Sequence, residues 1–182
     1  MSTPIAAENE FARNGFAAAW GAAGGVAICA FAVWRLAPIV AEAFEMRLSL
    51  LQWAVLVGNV VFMAYSEGYR GFQKKFAPRV AARALYLYRS AEPLWVRMLA
   101  PLFCFGYFRA PRRICLIAWL ATIGIVILVL LVHQLQQPWR GIIDAGVVVG
   151  LSWGIAALLA NFARAFSTGD YPISPEVPDD RN

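Results

Sequence analysis

Residues 66–113 read SEGYRGFQKKFAPRVAARALYLYRSAEPLWVRMLAPLFCFGYFRAPRR. This stretch holds ten of the sixteen basic residues of the chain against two acidic ones, Glu67 and Glu92, a net charge of +8. The remainder carries six basic and nine acidic residues, a net of −3. A long run without any formal charge stands on each side, so the stretch is a positive hinge between two pairs of membrane-length segments.

Working outward, 60% of the 182 residues are apolar and only 15% are charged, which lies outside the range of soluble globular domains. Crossing ~30 Å of hydrocarbon takes about 20 apolar residues in a helix. Four charge-free windows of that size are present, at 16–34, 48–66, 114–132 and 145–163. The expected fold class is therefore all-α, an integral membrane protein with four transmembrane helices and a basic amphipathic interfacial segment between helices two and three. The positive charge does not point to nucleic acid, because most of it lies beside spans, where anionic headgroups are the nearer partner.

The organisation expected is a cytoplasmic lead at 1–15, a hairpin at 16–66, the basic interfacial helices at 67–113, a second hairpin at 114–166 and a disordered acidic, Pro-containing tail at 167–182. Glu8 and Glu10 outnumber Arg13, and the first apolar run is longer than a signal core, so the first helix reads as retained. Helix one sets Ala17, Gly21 and Gly25 four apart. Small residues at that spacing let helix backbones approach where lipid removes the hydrophobic incentive to pack. Residues 35–47 read as a short outer connection, with Glu42 and Glu45 on one face as solvated charges. Helix two carries Gln52 and Asn59, and a mid-helix Asn must bond to another helix or line a wet cavity.

From Tyr65 onward, Tyr69, Phe72 and Phe76 recur at helical spacing opposite Arg70, Lys74 and Lys75. That is the pattern of an amphipathic helix lying on the membrane, ended by Pro78. Residues 93–108 are nearly all apolar, but their length and Pro101 make them an interfacial or re-entrant segment, not a fifth span. Helix three is dense in Ile, Leu and Val and should face lipid most. Helix four opens with Arg140 and Asp144 as an i, i+4 pair, then lays down the stripe Gly146, Gly150 and Gly154.

Short loops rich in Lys and Arg stay cytoplasmic, which puts both termini on the cytoplasmic side of an inner membrane. Ala and Arg usage suggests a bacterial source. The headgroup-binding set expected from the charge pattern is Arg70, Lys74, Lys75, Arg79, Arg83, Arg112 and Arg113. The helix-packing set is Gly21, Gly25, Gly146, Gly150 and Gly154, and the intramembrane polar residues are Asn59 and Asp144.

No catalytic, metal or cofactor constellation emerges. The single His133 excludes a haem held between two histidines of one chain, and Cys29, Cys104 and Cys115 have no metal-ligand spacing. Gly150-Leu151-Ser152-Trp153-Gly154 matches G-x-S-x-G, but it lies in an apolar helix with no strand before it. The function expected is thus a non-catalytic multi-pass inner-membrane protein, a subunit or scaffold. It would pack through its glycine faces, as a homo-oligomer or in a larger complex, and dock anionic lipid or a partner with its basic loop. The alternatives are a small homo-oligomeric transporter or channel and a lipid-acting enzyme. A transporter should show Asn59 meeting a wet cavity; an assembly subunit should show Asn59 capped and an exposed glycine groove.

Overall fold

The computed structural model describes residues 4–90, 92–169 and 171–177, with side chains from Asn14 onward. Among these residues the structure is all-helical: α1 Pro4–Glu45, α2 Leu50–Met63, a π-helical segment Ala64–Phe76, α3 Ala77–Arg89, α4 Leu94–Met98, α5 Ala100–Phe105, α6 Arg112–Val132 and α7 Trp139–Thr168. Four helical runs are long and apolar enough to cross a membrane: Asn14–Glu45, Leu50–Arg89, Arg112–Val132 and Trp139–Thr168.

All four helical runs are longer than their charge-free windows, the first two by the most. Helix α1 begins at Pro4, inside the stretch expected as a lead, and continues through the expected outer connection to Glu45. It tolerates Arg35, Glu42 and Glu45 because all three side chains are exposed, while Ala43 on the same helix is buried. The second run does not stop at Pro78. Leu50–Arg89 is one unbroken helical stretch of 40 residues. Pro78 lies in the first turn of α3. Its ring competes for space with the carbonyl four residues back and it donates no N–H, which is incompatible with regular α winding through that point. The wider π winding of Ala64–Phe76 precedes it.

The chain divides into two compact units. The first comprises the described parts of Met1–Val26, Phe76–Trp119 and Leu158–Asn182. Here the small-residue face of α1 is filled by α5. A Cβ added at Gly21 would come within 2.7 Å of Cys104 Sγ and 3.2 Å of the Ala100 carbonyl, and one at Gly24 within 2.7 Å of the Pro101 ring. A Cβ at Gly25 would lie 3.1 Å from Phe105. Helix α3 packs on α5, and Val80, Ala84, Leu87, Val96, Phe103 and Cys104 are buried. Segment 93–108 is thus two short helices of five and six residues, neither of span length.

After α7, the described tail residues take no regular secondary structure. Residues 171–177 lie against α3, where the Pro175 and Glu176 carbonyls accept hydrogen bonds from Arg83, and the Tyr171 hydroxyl bonds to Asn161. Arg79 lies 3.7 Å from Glu176. The acidic end of the tail, 178–182, falls outside the described residues.

The second unit is Ala27–Lys75 with Leu120–Ala157. Helix α2 starts at a capping box: Ser49 Oγ accepts from the Gln52 N–H and Gln52 Oε1 accepts from the Ser49 N–H. Gln52 therefore serves the helix end. Leu56, Ile142 and Ala145 form a small core with Val40, Leu48 and Val60 around it. Gln137 ties the start of α7 to α1, donating to the Ile39 carbonyl and to Glu42 while accepting from the Gly141 N–H. Helix α6 keeps almost all of its large apolar side chains exposed.

Candidate functional site

The glycine stripe of α7 is occupied by this chain itself. A Cβ at Gly146 would meet Asn59 Cγ at 2.8 Å and Met63 Cγ at 2.9 Å; one at Gly150 would meet Glu67 Oε2 at 3.2 Å; one at Gly154 would meet the Phe72 ring at 2.7 Å. Gly68 answers from the other side, since a Cβ there would come within 2.9 Å of the Trp153 ring. The Trp153 Nε1–H donates to Gln73 Oε1 at 2.8 Å. Four glycines thus make room for the side chains of Asn59, Met63, Glu67, Phe72 and Trp153 in the seam between α7 and the run formed by α2 and the π segment. The Asn59 amide donates to the Ile142 and Ile143 carbonyls at 2.9 and 3.1 Å.

Of the two signs set out for distinguishing the functions, Asn59 is capped but the glycine groove is not open. Gly146, Gly150 and Gly154 pack helices of one chain together, and Gly21 and Gly25 do the same against α5. The G-x-S-x-G match falls inside α7, where its two glycines make these contacts and Ser152 is exposed.

The pairing sets a register that the sequence pattern conceals. Gly150 and Gly154 are the sixth and tenth residues of the charge-free window 145–163, yet they already face Glu67 and Phe72, beyond the end of the window 48–66. The two windows are not level. The first part of the basic stretch therefore rides along α7, with Gly68 and Phe72 turned to that helix. Arg70, Lys74 and Lys75 are exposed on the other side. Tyr65 and Tyr69 are exposed and stacked, with Lys74 Nζ 5.3 Å from the Tyr69 ring centre.

Within the expected headgroup-binding set, Arg112 and Arg113 are exposed, and Arg79 is half-buried beside Glu176. Arg83 must be removed from it. Its side chain is fully buried at 0% exposure. Nε donates to the Phe103 carbonyl at 2.7 Å; Nη1 to Pro175 and Glu176 at 3.0 and 3.4 Å; Nη2 to Phe108 and Arg109 at 3.1 and 3.0 Å. The Phe103 ring packs 4.0 Å from the guanidinium carbon. A planar cation with five donors suits this cage of carbonyls, which joins α3, the end of α5, the loop after it and the tail. Arg109 and Glu176, two of the residues whose carbonyls it binds, have φ of 48° and 49°, so these bonds help hold strained backbone.

Asp144 is 5% exposed, with Oδ2 lying 3.8 Å from Arg140 Nε, and neither of those atoms has a hydrogen-bond partner among the described residues. Chain comparisons add no further assignment. Protein-family models, curated proteins and solved structures yield no match to this chain.

Two groups escaped the reading of the sequence. Glu92 is buried and accepts from Arg109 and from the Tyr86 hydroxyl, a polar knot that fixes the turn after α3. Glu67, which looked like one loop charge, is half-buried in the glycine seam. Its signal was position, one residue beyond a charge-free window and eight residues after Asn59 on the same helical face.

Proposed function

We propose that the protein is a non-catalytic, multi-pass inner-membrane protein. Its glycine faces join its own helices, and its basic surface docks anionic lipid headgroups on the cytoplasmic side. The observation that carries this reading is the outer face of the π segment, where Arg70, Lys74 and Lys75 stand exposed with Tyr65 and Tyr69 at the end of an apolar run. Basic and aromatic side chains together at that level suit the headgroup region, where rings bury their apolar bodies and cations meet phosphate. The exposed Arg112 and Arg113 at the start of α6 fit the same leaflet. The capped Asn59 supports this over a small transporter or channel, in which that amide would face water.

Native mass spectrometry of the gently extracted protein tests the reading. Each basic residue near an anionic surface contributes ~1 kcal/mol. Replacing Arg70, Lys74 and Lys75 together by Glu should therefore weaken retention of anionic phospholipid by about two orders of magnitude or more, with zwitterionic lipid unaffected. Equal anionic lipid on both proteins would refute the docking role.

A further inference from the structure

We propose that the outer face of α4 and α5 is a binding surface for anionic phospholipid, with acyl chains against Leu94, Trp95, Met98, Leu99 and Leu102 and the lipid phosphate on Arg97. The inference rests on the lipid-docking reading, which sets the leaflet, and it adds a largely apolar contact to the basic one. Helices α4 and α5 are apolar on two sides. Val96, Ala100, Phe103 and Cys104 recur at helical spacing and are buried within the chain, whereas Leu94, Trp95, Met98, Leu99 and Leu102 are exposed. A helix that is apolar all round needs an apolar medium outside as well as a packed neighbour inside. With five and six residues, these helices are each under ~10 Å long and cannot cross ~30 Å of hydrocarbon. The medium open to them is a single leaflet.

Helix α6 gives the depth. Arg112 and Arg113, which the lipid-docking reading puts at the headgroup level, are followed at once by apolar residues. The end of α5 and the loop after it are pinned to these first turns. A Cβ at Gly106 would come within 2.7 Å of Ile114, the Tyr107 ring centre is 5.1 Å from that of Trp119, and Cys115 Sγ lies 3.4 Å from the Ala110 carbonyl oxygen. At about 1.5 Å per residue, Ile114 and Trp119 are ~2 and ~9 Å along α6 from Arg113. The end of α5 therefore sits just inside the headgroup level, beside the start of α6. From α1, the exposed Trp20 donates its indole N–H to the Met98 carbonyl at 3.2 Å, an aromatic side chain of the kind that favours the membrane interface.

Charge selects the headgroup. Arg97 is half-buried on α4, its Nε has no hydrogen-bond partner and no ion pair reaches it among the described residues. Residues 93–113 contain no acidic residue, and Glu92 just before them is buried and bonded to Arg109 and Tyr86. The surface thus offers a guanidinium beside apolar side chains, with no carboxylate of its own to answer it. A phosphodiester joined to acyl chains supplies both halves, and a guanidinium is well shaped to hold phosphate oxygens.

Photolabelling of the full chain in nanodiscs reads the contact directly. The probes are phosphatidylglycerol and phosphatidylcholine carrying a diazirine either near the ester or at the far end of one acyl chain, and adducts are mapped by peptide mass spectrometry. We expect adducts within residues 94–102 of the wild-type chain, several-fold more from the diazirine near the ester than from the one at the chain end. Labelling of α6 serves as the measure of an inserted chain. Arg97→Gln should lower labelling of 94–102 by the phosphatidylglycerol probe about fivefold and leave that by the phosphatidylcholine probe nearly unchanged, while Arg97→Lys keeps most of the anionic preference. Labelling of α6 without adducts at 94–102 overturns the proposal and gives that face to water or to another protein. An unchanged phosphatidylglycerol adduct in Arg97→Gln, or an equal fall with both probes while α6 labels as before, overturns the phosphate contact. If neither segment is labelled, the spanning reading falls and takes the proposal with it. The docking role of Arg70, Lys74 and Lys75 is read separately, since their joint replacement by Glu should leave the adducts at 94–102 in place.

Discussion

Helices α6 and α7 are both long and apolar enough to cross a membrane, and the more apolar of the two is the less packed. In its most apolar 18-residue window, α6 has 6% of residues buried within the chain, whereas α7 has 44%. The difference lies in side-chain size. Helix α6 presents mostly Leu, Ile and Val, and in a bilayer such side chains would gain nothing by leaving lipid tails for another helix. Helix α7 presents Gly141, Gly146, Gly150 and Gly154, and at each a neighbouring helix or the π segment comes close enough to touch. Hydropathy therefore marks which helices are apolar enough to cross a membrane, whereas the glycines of α7, unlike Gly58 and Gly124, mark where neighbouring segments of the chain come close.

The strongest way to break this contrast is Gly141→Leu. A Cβ at that position would come within 2.8 Å of the Ile39 carbonyl and would also meet the Ala43 Cβ and the Gln137 side chain. The first two are fixed to the backbone of α1 and cannot swing aside. Overpacking of this kind costs ~1–3 kcal/mol or more, and we expect the upper end, read as a large fall in the unfolding midpoint in an SDS titration. Leucine at Gly58, where nothing among the described residues lies within 4 Å, is the matched comparison and should leave the midpoint nearly unchanged. Equal losses at the two positions would show that α1 and α7 are not in contact at Gly141.

How much of this was legible beforehand depends on what each residue's surroundings must supply. Four charge-free windows and the small-residue stripes are properties of single helices, and they stand in the chain for anyone to count. What fills a stripe is a property of a pair. Gly146, Gly150 and Gly154 would look identical if a second copy occupied them, so only the structure assigns Asn59, Glu67 and Phe72 to that groove. Arg83 was misplaced for a related reason: Arg79 and Arg83 share a helical face and seemed to share a role. The overlooked sign was local composition, since Ala81, Ala82, Ala84 and Leu85 surround Arg83 with small or apolar residues, all of them buried. The tail looked disordered because its Pro and acidic residues bury little apolar surface of their own. Its placement comes from Arg83, far away in sequence.

A smaller effect sharpens the same comparison at the seam. Asn59→Leu removes two hydrogen bonds to carbonyls that α7 already employs in its own helix. Side-chain hydrogen bonds between membrane helices contribute about 0.6 kcal/mol on average and rarely reach 2. We expect a loss of about 1 kcal/mol in the same titration. A loss several times larger would mean that the amide also holds water or a ligand, and would revive the transport reading that its capped state argues against.

The smallest expected change is the most informative about α6. At Gly124 an added Cβ would meet nothing within 4 Å among the described residues, so Gly124→Ala has only helix propensity to act on. That favours alanine by ~0.5–1 kcal/mol, and the isolated chain should be unchanged or slightly more stable. The same substitution followed in native membranes asks a different question. If lipid alone covers α6, the extra methyl group is accommodated and accumulation of the protein is unchanged. If another helix sits on Gly124 in the membrane, the methyl group meets it, and the variant accumulates less there while keeping its stability in detergent. A deficit confined to the membrane would thus move α6 from the lipid-facing side of the comparison to the packed side, and identify Gly124 as the contact.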